Sequence, residues 1–173
     1  MIYFSFSLYG TLDKYNRGMI ANVEMIRDRF PTARVAVYVA DDVPTAIIDT
    51  LQSFTNINII PTTRKEKSEG MFDRFLAIDI SDCDIMFVRD ADSRIHERDA
   101  ACIEDFINDT SKLFHIIRDH YYHSDKVMGG MWGIRKAALL EPMSTSIGKW
   151  KGRYNSKMYG ADQNFLAHTL YGR

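Results

Sequence analysis

The stretch that most constrains this chain is Asp84-Ile85-Met86-Phe87-Val88-Arg89-Asp90-Ala91-Asp92-Ser93-Arg94. Its uninterrupted apolar run, Ile85 to Val88, predicts a strand buried on both faces, as in parallel sheets covered by helices. That strand delivers two carboxylates, Asp90 and Asp92, to its carboxyl end. Residues two apart on an extended chain project to the same side, so both can reach one hard divalent cation and leave its other positions to phosphate oxygens and water. Asp-x-Asp by itself is common in surface turns. A buried strand directly before it is not, and open α/β sheets bind ligands beyond the carboxyl ends of their strands. The stretch therefore reads as a site for a phosphorylated ligand.

The flanking sequence supplies the rest of such a sheet. Ile2, Phe4, Phe6 and Leu8 alternate with Tyr3, Ser5 and Ser7, predicting a strand whose mouth carries Ser7, Tyr9 and Gly10. Met19, Ile20, Val23, Ile26 and Phe30 follow at helical spacing, and Pro31 ends that helix. Val35 to Val39 predicts a second buried strand with Ala40-Asp41-Asp42 at its exit. A helix from Pro44 through Leu51 and a third strand, Ile57 to Ile60, complete a βαβαβ unit. Short buried strands alternating with helices imply an α/β fold with a mostly parallel, doubly wound sheet. The polar run Thr62 to Glu69 reads as a solvated loop or a lid over the ligand.

Met71, Phe72, Phe75 and Leu76 form one helical stripe with Arg74 off the apolar face, where its guanidinium can reach Asp90 or a diphosphate. After the motif, Ala100, Ile103, Phe106 and Ile107 mark a helix. Leu113 to Ile117 predicts a strand whose His115 reads as a core histidine. Arg118-Asp119-His120 sits at its end, with His123 beyond. In Met128-Gly129-Gly130-Met131-Trp132-Gly133, glycines around one Trp suit either close approach of backbone to a ligand beside a flat apolar wall, or a tight turn with a buried indole. Asp162-Gln163 opens a last helix through Phe165, Leu166, Thr169 and Leu170.

Composition narrows the partner. At 173 residues the chain fits one domain, residues 1–173, long enough to bury a core, and a formal net charge of -1 argues against nucleic acid as the ligand. Cys83 and Cys102 lack metal-site or disulfide-framework spacing. The N-terminus lacks the basic and apolar regions of a signal peptide, and no run approaches the length of a membrane span, so a soluble cytoplasmic protein is expected. Neither GxxxxGK[ST] nor GxGxxG occurs, which disfavours ATPases and dehydrogenases.

With these residues assembled, the chain resembles small GT-A glycosyltransferases of the kind found in bacteria and large DNA viruses. The resemblance rests on six segments in order: Ser5 to Gly10, Gly70 to Phe75, Arg89 to Arg94, Arg118 to His120, Gly129 to Gly133 and Tyr159 to Gln163. It implies a Rossmann-like domain whose residues 1–94 hold nucleotide and metal and whose residues 95–173 face donor sugar and acceptor. The implied ligands are a UDP-sugar donor and a carbohydrate acceptor, in the host cytoplasm if the source is viral.

In this reading Asp90 and Asp92 handle Mn²⁺ or Mg²⁺ and the diphosphate, and Tyr9, Gly10 and Asp41 hold base and ribose. Ser7, Arg74, Ser93, Gly130 and Trp132 complete the donor site. Asp162 and His120 are the candidates for chemistry at the acceptor hydroxyl, against plain structural roles as helix-start residue and strand-end hydrogen-bonder. Retention is favoured over inversion. At about 100° per residue, Asp162 shares the inward face of the last helix and His168 points away. The metal is therefore expected to lack a protein imidazole and to bind weakly before the nucleotide. If the chain is a fragment, a missing segment would supply that ligand. Two alternatives stand beside this reading: a haloacid-dehalogenase-like phosphatase using Asp90 and Asp92, and a non-catalytic nucleotide-sugar-binding module.

Overall fold

The structure, a computed structural model, describes residues 1–63, 70–123 and 125–171. The expected loop or lid at Thr62 to Glu69 lies mostly outside the described residues. The chain runs β1 (Ile2–Leu8), α1 (Asp13–Arg29), β2 (Arg34–Ala40), α2 (Thr45–Gln52), β3 (Ile57–Thr62) and α3 (Gly70–Asp73), then a 3-10 segment, Arg74–Asp79. It continues through β4 (Ile85–Arg89), α4 (Glu97–Asn108), β5 (Phe114–Ile116), β6 (Met131–Arg135), α5 (Met143–Lys151) and α6 (Ala161–Phe165), which ends in a π turn, Leu166–Leu170.

One six-stranded sheet has the order β3-β2-β1-β4-β6-β5. The β3-β2-β1-β4 half is parallel. Strand β6 runs antiparallel to both β4 and β5. The sheet is a mixed α/β sheet with the predicted parallel half, closed by an antiparallel extension.

Both faces of the sheet are covered. On one, Phe4, Phe6, Val37 and Phe87 pack with Met19, Val23 and Ile26 of α1, Leu51 of α2, and Ile103 and Phe106 of α4. On the other, Tyr3, Met86, Val88 and Ile134 pack with Phe72 and Phe75, Ile147 and Trp150 of α5, and Phe165 and Leu166 near the C-terminus. Successive residues of β4 therefore enter opposite layers, as a strand buried on both faces requires.

Two local differences from the sequence reading have physical reasons. The stripe at Met71 to Leu76 folds as one α-turn followed by a 3-10 turn, and the large side chains it buries deepest, Phe72, Phe75 and Ile78, are three apart. Three residues per turn is the 3-10 period. Second, the glycine-rich segment, read as a close approach to a ligand or as a tight turn, divides: Gly129 and Gly130 form a turn, and Met131 to Gly133 enter the interior strand β6. Glycine normally weakens a strand. Here a Cβ on Gly133 would stand 2.6 Å from the Phe87 ring, so the missing side chain is what lets that ring lie across β6.

Candidate functional site

The carboxyl ends of the parallel neighbours β1 and β4 open into a cleft of about 260 Å³. Ser7 and Tyr9 reach it from β1, and Asp90 and Asp92 from β4. Met71 and Arg74 close one side, and the rings of Tyr15 and Tyr159 line it as well. Gly10 ends β1 with φ of 79°, a left-handed conformation that favours glycine, and its N–H donates to Asp42 Oδ1 at 2.8 Å.

The motif loop is fixed from below. The Ala91 carbonyl accepts hydrogen bonds from Asn22 Nδ2 at 3.2 Å and Arg94 Nη1 at 3.3 Å. Helix α1 approaches so closely there that a Cβ on Gly18 would lie 2.3 Å from the same oxygen. Ser93 donates through Oγ (2.9 Å) and its backbone N–H (3.1 Å) to the Asp90 carbonyl, closing the turn. With the loop held at its own backbone, the two carboxylates are left to point into the cleft.

Arg74 organises the charges. Its Nη1 is bonded to Asp90 Oδ1, and its Nη2 donates to Asp162 Oδ2 at 3.1 Å. Its backbone N–H donates to Ser7 Oγ at 3.2 Å, and Ser7 in turn donates to the Gly70 carbonyl at 2.5 Å. Arg74 is 7% exposed and Asp162 1%, whereas the Asp90 side chain is 46% exposed, so the pair Arg74–Asp162 is internal and Asp90 faces solvent. Burial works against the Arg74 charge, but the Asp90 and Asp162 carboxylates outweigh it and raise its pKa. For Asp162 burial wins over Arg74, and its pKa is raised. Arg74 Nε and Asp162 Oδ1 have no hydrogen-bond partner among the described residues. Asp92, at the rim, pairs with Lys14 Nζ at 3.0 Å.

The remaining sequence candidates distribute as follows. Gly130 makes room for the Asp90 carboxylate, since a Cβ there would lie 2.1 Å from Oδ2. Gly129 does the same for Asp162, at 2.5 Å. Trp132 stands outside the cleft: it is 1% exposed, its ring edge-on to Phe75 at 5.2 Å, which is the buried-indole alternative. His120 lies on an exposed turn, its Nδ1 accepting from the Tyr122 N–H at 3.2 Å, and does not line the cleft. Asp41 is exposed, and it is Asp42 that touches Gly10. His168 is bonded to the Asn164 carbonyl at 2.7 Å and lies away from Asp90 and Asp92, whereas Asp162 faces Arg74. The sequence reading missed Lys14, Tyr15, Asp42 and Tyr159. Lys14 and Tyr15 were legible in principle, because they sit on the first turn of the helix that follows Gly10. Tyr159, almost fully exposed, entered the sequence reading only as the first residue of a resemblance segment and was given no role in the site.

Among the described residues no group of three or more His, Cys, Asp or Glu could enclose a metal ion. Asp90 and Asp92 fit a different kind of site. Both line the same cleft, both are hard oxygen donors at its open side, and two carboxylates with ligand oxygens and water suit Mg²⁺ or Mn²⁺.

A parallel β3-β2-β1-β4 half, an antiparallel β6-β5 extension and Asp-x-Asp at the end of β4 define the GT-A, Rossmann-like glycosyltransferase fold. Comparison with solved structures agrees. The chain is similar to a galactosyltransferase, LgtC, in complex with donor and acceptor sugar analogues, with TM-score 0.64 and 16% identity over 96% of this chain and 69% of that one. It is similar to a glycosyltransferase involved in glycosylation of the major capsid of PBCV-1, with TM-score 0.64 and 14% identity over 99% and 76%. It also resembles the mannosyltransferase PcManGT from Pyrobaculum calidifontis in complex with GDP-Man and Mn²⁺, with TM-score 0.62 and 13% identity over 95% and 50%. No family model and no curated protein matches the sequence.

Proposed function

We propose that this chain is a metal-dependent glycosyltransferase that moves a sugar from a nucleoside-diphosphate sugar, UDP favoured, to a carbohydrate acceptor. The observation that carries the reading is the array at the mouths of β1 and β4: two carboxylates facing one cleft, with a buried guanidinium bonded to the first of them.

The chemistry follows from charge. Breaking the bond between sugar C1 and the diphosphate oxygen leaves negative charge on the departing group. A divalent ion held by Asp90 and Asp92 would supply positive charge there when bound. Arg74, locked between Asp90 and Asp162, adds a fixed cation that needs no reorganisation during reaction. In this reading Tyr9, Gly10 and Asp42, at the exits of β1 and β2, would hold base and ribose. The Tyr15 and Tyr159 rings offer stacking surfaces for a base.

Asp162 serves Arg74 in this reading and is a positioning residue. Its carboxylate is buried and directed at the guanidinium, so the acceptor hydroxyl has no path to it. Within the cleft the exposed carboxylates are Asp90, bonded to Arg74, and Asp92, bonded to Lys14. No unpaired base stands there among the described residues, which supports retention over inversion. The Asp90–Arg74 bond also weighs against a phosphatase, since the first Asp of that motif must be free to attack phosphorus. A thermal-shift screen of UDP, GDP, CDP and ADP with Mn²⁺ tests the proposal: a rise with one nucleotide that needs Mn²⁺ supports it, and no rise with any contradicts it.

A further inference from the structure

A second cleft, of about 510 Å³, opens on the far side of Asp92. Asp92 lines both clefts, so molecules occupying the two meet at one carboxylate. The second is walled by Arg94, His96 and Arg98, which run from the motif into the first turn of α4, and by Asp119 and His123, beyond β5.

The charges of this cleft do not all cancel at close range. Arg89 is answered by Asp99 through two bonds, Nε–Oδ2 at 3.1 Å and Nη2–Oδ1 at 2.8 Å. Asp92 is answered by Lys14, and Asp119 is hydrogen-bonded to His123 at 2.6 Å and lies within reach of the Arg98 charge. That accounts for all three carboxylates on the wall. Two guanidinium groups, Arg94 and Arg98, hold no close ion pair of their own among the described residues, and with Lys14 counted the cations exceed the carboxylates by one. Arg94 donates only to the carbonyls of Ala91 and Ser93, at 3.3 and 2.7 Å, which leaves its charge unneutralised. Arg98 is exposed and forms no close ion pair among the described residues, although its charge reaches Asp119 across the cleft and helps hold that carboxyl below its ordinary range.

An independent feature stands beside it. The turn that carries His123 displays Tyr121 and Tyr122, which are 76% and 73% exposed, with ring centroids 3.9 Å apart. Two exposed rings side by side make a flat apolar face, which suits the C–H face of a sugar.

We propose that this cleft holds the acceptor and that the acceptor is an anionic saccharide. Arg98 and Arg94 take its phosphate or carboxylate, and the Tyr121–Tyr122 face takes its ring. This rests on the first cleft being the donor site. Guanidinium groups pair with both anions through two parallel bonds, so the structure selects charge and leaves phosphate and carboxylate to be separated by experiment.

NMR titration of the whole chain with glucose 6-phosphate, glucuronic acid and glucose, with Mn²⁺ and UDP present, decides it. At least one charged sugar should bind about tenfold or more tightly than glucose, and Arg98→Ala should abolish that preference while Arg98→Lys, which keeps the charge and loses the fork, retains only part of it. Preference for one charged sugar over the other identifies the anion. In a separate titration UDP with Mn²⁺ should bind Arg98→Ala as it binds wild type, showing an intact donor cleft. Equal binding of all three sugars, binding of none, or an Arg98→Ala variant that still prefers the charged sugar would overturn the proposal. If wild type fails to bind UDP, the donor reading falls, and the acceptor role falls with it whatever the sugars do.

Discussion

Arg74 is a buried cation held by one internal and one exposed carboxylate, and its removal strands the internal one. Breaking a buried pair by deleting one partner costs roughly 3–5 kcal/mol. Arg74→Ala should lower unfolding stability by about 3 kcal/mol, measured by urea denaturation at pH 8. The pH sense follows from Asp162. Its folded pKa is raised above the unfolded value, so the folded state binds more protons and stability falls as pH rises through that window. Without Arg74 the opposing charge is gone and the window widens, so the deficit of Arg74→Ala should be smaller at pH 5 than at pH 8. An equal deficit at both would mean that Asp162 is not the group stranded. His115 has the opposite sign. Burial, then the nearby Arg89 charge, lowers its pKa to about 4. The unfolded histidine takes up its proton near pH 6.5. Stability from this residue is full above that value and is lost as pH falls towards 4. His115→Phe should show a smaller drop in Tm between pH 7 and pH 5 than wild type. Arg74 was legible because it lies within the apolar stripe that directly precedes the motif strand, and Asp162 because it opens the last apolar stripe. Trp132 was ambiguous because its ring suits a core as well as a ligand wall, and only the packing with Phe75 decides.

The elements show why local patterns carried some of the fold and not the rest. β1, β2 and β4 are interior strands of a parallel sheet, so both faces are apolar and their sequences announce it. β6 pairs antiparallel between β4 and β5, and its glycine belongs to the Phe87 ring on a strand forty-odd residues away. No local pattern can report that. Helix α5 was hidden for a similar reason: its first N–H groups, on Met143 and Ser144, donate to the two oxygens of Asp79 at 2.8 Å each, so its cap comes from a remote residue. The glycines of the segment preceding and entering β6 separate site from scaffold. Gly130→Ala should push Asp90 aside and abolish Mn²⁺-dependent nucleotide binding with the fold retained. Gly133→Ala must displace the Phe87 ring and should cost about 1–3 kcal/mol of stability while nucleotide binding persists in the folded fraction. Circular dichroism melts with calorimetry on both variants check this, and the reverse pattern would place the site elsewhere.

At the scale of the whole molecule, the fold carries β1 and β4 side by side with their carboxyl ends together, and two other places serve the same mouth: Arg74 after α3, and the start of α6, where Tyr159 lines the cleft and Asp162 holds Arg74 from behind. Among the described residues no helix is long and apolar enough to cross a membrane. The solved structures it resembles are longer, this chain matching 69% and 76% of two of them. The central claim is that Asp90 and Asp92 make this mouth a metal-dependent nucleotide-diphosphate site. Calorimetric titration of UDP into wild type and Asp92→Asn, each with and without Mn²⁺, tests it most directly. Wild type should bind UDP only with Mn²⁺ present, and bind Mn²⁺ weakly until UDP is added. Asp92→Asn, with an unchanged melt, should lose at least about tenfold in affinity. UDP affinity that is the same in the variant, or the same without the metal, would contradict the account.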